Sequence, residues 1–162
     1  MTFDYVDLNQ IDPSFSVMPE DMYTLRILKM EKLTFPRKVN GIPTGEDGQR
    51  IAVNLTVADH PSLSGRRIFE SLWPNNFTFR VLRRLADNTG IAQNPGEPLE
   101  AWLQKMTETQ PTIKLKVEFR TKNIKKLNPA TGVEEWTKEV VLNEQGKPAE
   151  NSIDWREMQP AE

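Results

Sequence analysis

Residues Pro111 to Lys126 read PTIKLKVEFRTKNIKK, and this stretch predicts an amphipathic β-strand. Its apolar side chains alternate with charged ones, as in Ile113, Lys114, Leu115 and Lys116. Because successive side chains of a strand point to opposite faces, one face is apolar and the other is charged. Of the six alternate positions from 112 to 122, five are charged and four of those are basic. The outer face is therefore either the wall of a cationic groove or an ordinary solvated surface.

Charge is segregated along the whole chain, although the net formal charge is only −2. Residues 1–21 contain five acidic residues and no basic one, and residues 143–162 contain five acidic and two basic residues. The middle, residues 22–142, holds 19 basic and 13 acidic residues, a charge of +6. A cationic body between two acidic ends favours a polyanionic partner, with ends that could compete for the same surface.

The composition is typical of one soluble domain. A chain of 162 residues, 37% of them hydrophobic, is long enough for a single core. No apolar run approaches the roughly 20 residues that cross a bilayer, and the N-terminus lacks a signal-peptide pattern. The absence of cysteine excludes disulfides, thiolate metal sites and a cysteine nucleophile. We therefore expect a cytoplasmic protein with no metal or other cofactor.

Periodicity and turn signals predict five strands and a helical segment. A helix capped at Asn75 ends before Gly90, and a second short helix starts at Pro98 with Trp102 on its core side. The other elements, in order, are the strand Tyr23–Lys32, the long connection Leu33–Gln49, the strands Arg50–Ala58 and Arg66–Trp73, the basic strand after the helices, the loop Asn123–Gly132 and a last strand Glu134–Leu142.

This order predicts a mainly β protein with a helical insert between strands 3 and 4, which is the layout of a five-stranded OB-fold Greek-key barrel. The barrel domain would cover residues 22–142. Residues 1–21 would form an acidic N-terminal arm, and residues 143–162 an acidic C-terminal tail. In an OB-fold, ligands lie across strands 2 and 3, between the loops joining strands 1 to 2 and 4 to 5.

Residues 18–142 resemble the phage-encoded single-stranded-DNA-binding proteins first catalogued as a phage domain of unknown function. The resemblance lies in the order of elements and in a turn, Gly65-Arg66-Arg67, that leads into Ile68-Phe69, followed by Trp73 and an Asn-rich helix start. It implies an OB-fold that coats single strands in phage DNA replication or recombination, in the cytoplasm of a bacterial host. Phage or host replication and recombination proteins, and further copies of the chain, would be additional partners.

Single-strand binding requires cations for the phosphates and flat side chains for the bases, and no catalytic group. Phe69 shares its strand face with polar neighbours, which favours an exposed ring. About half of the basic residues would merely solvate the surface. The aromatic candidates are Phe69, Trp73 and Trp136, with Phe35 and Tyr23 behind them, and the cationic candidates are Lys32, Arg37, Lys38, Arg50, Arg66, Arg67, Lys114, Lys116, Arg120, Lys122, Lys125 and Lys126.

Enzymatic functions find little support in the sequence. The one histidine, His60, precedes Pro61 in a turn, where a solvent-exposed or capping role is expected. Acidic residues of the body show no metal-binding spacing, and nucleotide-binding and nucleophile-elbow motifs are absent. Two alternatives to DNA binding stay open. One is a protein-interaction module, such as a virion-assembly adaptor or an inhibitor of a host enzyme, and the other is an RNA-specific binder.

Overall fold

The computed structural model describes residues 7–10 and 17–161. A short 3-10 turn, Leu8–Gln10, precedes the main elements. These are β1 (Asp21–Val39), β2 (Ile42–Val57), β3 (Arg67–Leu72), α1 (Asn76–Thr89), α2 (Leu99–Thr109), β4 (Thr112–Phe119), β5 (Thr121–Leu127), β6 (Glu134–Val140) and β7 (Asn151–Pro160).

Five strands form one antiparallel sheet in the order β3-β2-β1-β4-β7, and β5 and β6 form a separate two-stranded hairpin. The two helices come between β3 and β4. The prediction of a mainly β protein with a helical insert after the third strand is therefore confirmed. No closed barrel is detected in the described part of the chain.

The alternation in the basic strand is confirmed by the packing of β4. Ile113, Leu115 and Val117 are fully buried, whereas Lys114 and Lys116 lie on the opposite face. Each buried β4 residue joins a single apolar core with alternate residues of β1 and β2, such as Leu25 and Leu55. Burial of these side chains stabilises the sheet by about 1.5–3 kcal/mol each, before the cost of ordering the chain.

The helix signals in the sequence are also confirmed. The side chain of Asn75 accepts a hydrogen bond from the Thr78 N–H at 2.9 Å, which satisfies one of the free donors of the first turn of α1. Gly90 ends α1 in the left-handed conformation, with φ at 73°. In α2, Trp102 is buried and donates its indole N–H to the carbonyl of Ile91 at 2.8 Å. Both helices thus cover the core as expected.

The connection predicted between residues 33 and 49 is wrong, because β1 and β2 continue through it as a long hairpin. Their pairing extends to Val39 and Ile42, and the turn is Asn40-Gly41 with φ values of 51° and 77°. Asn-Gly is the dipeptide that a two-residue hairpin turn favours, since both positions need positive φ. The prediction of a loop was based on Pro36 and Pro43, but proline is tolerated at the edge positions of a two-stranded ribbon.

The end of the basic strand was also predicted incorrectly. The ladder of β4 stops at Phe119, and β5 begins at Thr121 in a different sheet. The predicted loop 123–132 is largely β5 and its turn. The predicted last strand, residues 134–142, is β6, and β5 is its one partner among the described strands. Residues 111–126 therefore supply strands to two sheets, and Arg120 lies between them.

Residues 143–162 were expected to form an acidic tail, and this expectation is wrong for most of the segment. Asn151–Pro160 forms β7, an edge strand of the main sheet that pairs with β4. Ile153, Trp155 and Met158 are buried in the core. The predicted N-terminal arm, residues 1–21, lies mostly outside the described residues. Within its described part, Met18 is buried and Asp21 begins β1.

Glu70 links the two edges of the sheet. It lies on the inner face of β3, its side chain is 12% exposed, and it accepts a hydrogen bond from the Ile153 N–H of β7 at 2.7 Å. Burial raises the pKa of the Glu70 carboxyl above its ordinary value, although the hydrogen bond opposes that effect. The Glu70 side chain thus links the edge strands β3 and β7, which in a closed barrel would be joined by backbone hydrogen bonds.

We expect the Glu70→Ala variant to lose about 1–3 kcal/mol of unfolding free energy, because the buried Ile153 N–H would lose its acceptor. Glu70→Gln is the matched control, since its amide oxygen can still accept that hydrogen bond. Urea unfolding followed by circular dichroism measures both variants. Equal stability of Glu70→Ala and wild type would show that this link does not hold the edges together.

Candidate nucleic-acid interface

The outer face of β1, β2 and β3, opposite the core, carries basic and aromatic side chains in register. Arg26, Thr56 and Arg67 lie side by side across the three strands. The next outward-facing row, after a register shift in β1, contains Lys29 and Asn54, with the 63% exposed ring of Phe69 on β3. Cations on β1 are therefore separated by one strand from a cation and an aromatic ring on β3. The guanidinium of Arg26 donates to the Gln110 carbonyl at 2.9 Å, and Lys29 forms an exposed ion pair with Glu31 at 3.1 Å.

Between β1 and β3, strand β2 presents small side chains on this outer face. Ala52, Asn54 and Thr56 are half-buried, and they form the floor of a shallow trough. The outer strands are about 10 Å apart, twice the spacing of neighbouring strands. This width suits one unpaired polynucleotide strand, with its phosphates near the cations. The Oδ1 atom of Asn54 is buried and has no hydrogen-bond partner within the described residues.

An aromatic corner ends the trough where β1 and β2 leave the sheet. The rings of Phe35 and Trp73 make an edge-to-face contact, with centroids 5.8 Å apart. Phe35 lies directly over Gly48, where a Cβ would be only 2.6 Å from the ring. Beside them, Arg50 donates a hydrogen bond to the Ser71 hydroxyl at 2.8 Å. Trp73 keeps half of its surface exposed and is available for stacking.

The predicted β4 cations lie on the outer side of the sheet beyond β1. Lys114 is adjacent to Thr24 of β1, and Lys116 is adjacent to Asp154 of β7. Asp154 is 8% exposed and ion-paired to Arg156 at 2.9 Å, and this guanidinium holds the pKa of the Asp154 carboxyl below its ordinary value, with a smaller contribution from Lys116. The charge of Lys116 is therefore partly balanced, and β1 separates both lysines from the trough floor.

Arg66, Arg67 and Arg120 converge on a cleft of about 300 Å³ between β3 and the start of β7, which we call the β3–β7 cleft. Phe69 and Glu150 also line it. The cleft adjoins the trough, because Arg67 and Phe69 belong to both. Arg66, Arg67 and Phe69 are neighbours in the sequence, and the fold brings the predicted residue Arg120 to them from a distant part of the chain.

The β5–β6 hairpin carries a second basic and aromatic surface. Trp136 is 71% exposed, and the ammonium of Lys125 lies 5.9 Å from its ring centroid, within cation–π range. Lys125 also pairs with Glu134 at 3.1 Å. Lys122 and Lys126 lie on the other face, and Lys126 pairs with Glu139. Only Lys125 of the three predicted lysines therefore accompanies Trp136.

Three further predicted cations and one predicted aromatic also lie away from the trough. Arg37 and Lys38 are exposed near the tip of the β1–β2 hairpin. Lys32 lies on the inner face of β1, where it pairs with Glu100 of α2. Tyr23 is buried, and its hydroxyl donates to the Pro19 carbonyl at 2.7 Å, so its ring is no stacking platform.

Three cations of these surfaces were missed by the sequence reading: Arg26 and Lys29 of the trough, and Lys138, which shares a face with Trp136. A register shift between Ile27 and Lys29 brings Arg26 and Lys29 onto the same face, which strict alternation would not do. For Lys138 the signal was present, because it is two residues from Trp136 in a strand.

The described residues show two further features that bear on function. Within residues 7–10 and 17–161, no three histidine or carboxylate side chains form a group that could hold a metal ion. None of the helices in these ranges has the length and apolar character needed to cross a bilayer. His60 caps its turn as expected, since its Nδ1 atom accepts from the Leu63 N–H at 3.0 Å.

Comparisons with protein-family models, with curated proteins and with solved structures found no match. The geometry of the trough therefore carries the functional argument. The resemblance to phage single-stranded-DNA-binding proteins stays a hypothesis.

Proposed function

We propose that this protein binds single-stranded DNA without sequence specificity and without catalysis. The observation that carries the proposal is the trough, in which Arg26 and Lys29 face Arg67 and Phe69 across the small side chains of β2. Cations that track phosphates, combined with rings that stack on bases, are the usual means of sequence-tolerant single-strand binding. The strand would follow the floor of the trough, with its bases toward Phe69 and Trp73.

The proposed fold is an OB-type barrel with two extended connections. Three observations support it: the helices follow β3, β7 pairs with β4, and Glu70 holds the edge strands β3 and β7 together. The long β1–β2 hairpin and the β5–β6 hairpin correspond to the two loops that grip ligands in OB-folds. Trp136 and Lys125 would then hold a second section of the same strand.

The biological setting we propose is phage DNA replication or recombination in a bacterial cytoplasm. The support is the resemblance carried by Gly65-Arg66-Arg67 and the residues that follow it. The partners would be single-stranded DNA and, with it, phage or host replication and recombination proteins. Self-association of the chain along the strand belongs to the same proposal.

A fluorescence-anisotropy titration with labelled oligo(dT) tests the proposed function. The oligonucleotide should have about 20 nucleotides, more than the roughly 4–16 that one OB-fold covers. If about five phosphates are neutralised, the logarithm of the binding constant should fall with the logarithm of salt concentration at a slope of roughly −3 to −4. A matched duplex is the control and should bind more weakly, because its bases cannot stack on the protein. Micromolar or weaker binding that ignores salt would contradict the proposal.

A protein-interaction module is the second candidate, and a surface on α1 favours it. Phe77 is 48% exposed and Phe79 is 56% exposed, and both lie in the first turn of α1, which begins shortly after Trp73. Exposed aromatic side chains are typical of contact surfaces for other proteins. A stoichiometric protein partner that is lost in the Phe77→Ala variant, together with no retention of oligo(dT), would favour this candidate.

A further inference from the structure

Arg120 lines the β3–β7 cleft, and it lies between two carboxylates. Its Nε atom lies 3.1 Å from Glu150 Oε2, and its Nη2 atom lies 3.9 Å from Glu70 Oε1. The backbone N–H of Arg120 also donates to the Glu150 carbonyl at 2.8 Å. The position of Arg120 is therefore fixed by its backbone, while its guanidinium faces the cleft.

The two carboxylates differ in how easily another anion could replace them. Glu70 is 12% exposed and accepts a hydrogen bond from the Ile153 N–H. Moving the Glu70 side chain away would leave this buried donor without an acceptor, which is costly. Glu150 is 61% exposed, and although its Oε2 atom lies 3.1 Å from the buried Nε atom of Arg120, the two atoms make no hydrogen bond, so this ion pair is a weak one. Glu150 is thus the exchangeable partner of Arg120.

We propose that the β3–β7 cleft is a phosphate-binding subsite and that Glu150 is its internal competitor. The arginines that line the cleft have the fork geometry that suits phosphate oxygens, and the exposed ring of Phe69 at its rim can stack on the attached base. This proposal rests on the proposed function: the subsite would hold one phosphate group of the bound DNA strand. Displacing the Glu150 side chain leaves the backbone in place, so binding requires no change of fold.

The test compares Glu150→Gln with wild type in the full chain, by oligo(dT) titration over a range of salt concentrations. Removing the competitor should strengthen binding about three- to tenfold and make the salt slope more negative by about 0.7, the value for one additional phosphate contact on a single strand. Glu144→Gln is the matched control, because it removes the same charge from the same acidic segment outside the cleft. Affinity for oligo(dT) equal to that of Glu144→Gln would overturn the proposal.

A second readout does not depend on DNA binding. Tripolyphosphate should raise the melting temperature of Glu150→Gln more than that of wild type, because a ligand stabilises the state that binds it. Adding Arg120→Gln to Glu150→Gln should abolish that difference. If oligo(dT) fails to bind but tripolyphosphate behaves as expected, the proposed function is wrong and the subsite stands. If oligo(dT) binds but neither Glu150→Gln effect is seen, the subsite is wrong and the proposed function stands.

Discussion

Replacing Arg67 and Phe69 together by alanine is expected to weaken single-stranded-DNA binding by about 100-fold or more. Stacking of a base on an aromatic ring contributes about 1–3 kcal/mol, and a hydrogen bond to a charged group about 1.5–3 kcal/mol. Each factor of ten in affinity is about 1.4 kcal/mol, so the combined loss corresponds to roughly two decades or more. Both side chains are exposed, so the fold should survive.

A double variant of α1, Arg80→Ala with Phe77→Ala, provides the matched control. It removes the same two residue types from another exposed surface, and Phe77 is 48% exposed. Its affinity for oligo(dT) should stay within about twofold of wild type, and melting curves of both variants report any loss of folding. Equal losses of affinity in the two double variants would mean that the outer face of β1, β2 and β3 is not the binding surface.

Trp155→Ala is expected to reduce the unfolding free energy by about 3–5 kcal/mol, which is the cost of truncating a buried aromatic residue to alanine. Trp155 is only 5% exposed and belongs to the core cluster through β7. Such a loss is a large part of the total stability of a domain of this size. Chemical unfolding monitored by far-ultraviolet circular dichroism measures it.

Trp136→Ala is the contrasting variant, since Trp136 is 71% exposed on the β5–β6 hairpin. Its stability should change by less than about 0.5 kcal/mol, as is usual for surface substitutions. A small effect of Trp155→Ala, comparable to that of Trp136→Ala, would show that β7 is not part of the stable sheet.

The parts of the fold that were predicted correctly are those with strict local patterns. Strand β4 alternates without interruption through Ile113, Leu115 and Val117, and α1 has a capping residue at one end and a glycine at the other. β7 lacks such a pattern, because Ile153, Asp154 and Trp155 are buried in succession. Its pairing with β4 also changes register between Leu115 and Lys116. Irregular pairing of this kind is set by tertiary contacts, which no local period reveals.

The candidate site was predicted in part, and the misses have the same cause. Phe69 was expected to be exposed from its polar neighbours on β3, and this is confirmed. Lys29 was missed, because strict alternation would place it on the core face with Leu25 and Ile27, and the register shift after Ile27 reverses that alternation. Lys32 was included although it faces α2, since its partner Glu100 is distant in the sequence. The sequence shows which residues are basic, but the pairing and register of the strands determine which of these residues lie together.

The four tryptophan indole N–H groups allow the most direct measurement of the binding surface. Trp73 and Trp136 are 50% and 71% exposed on the proposed DNA path, whereas Trp102 and Trp155 are 2% and 5% exposed in the core. In ¹H–¹⁵N spectra of the labelled protein, oligo(dT) should shift the indole signals of Trp73 and Trp136 and leave those of Trp102 and Trp155 in place. Unchanged signals of Trp73 and Trp136 at saturating oligo(dT) would contradict the proposed interface.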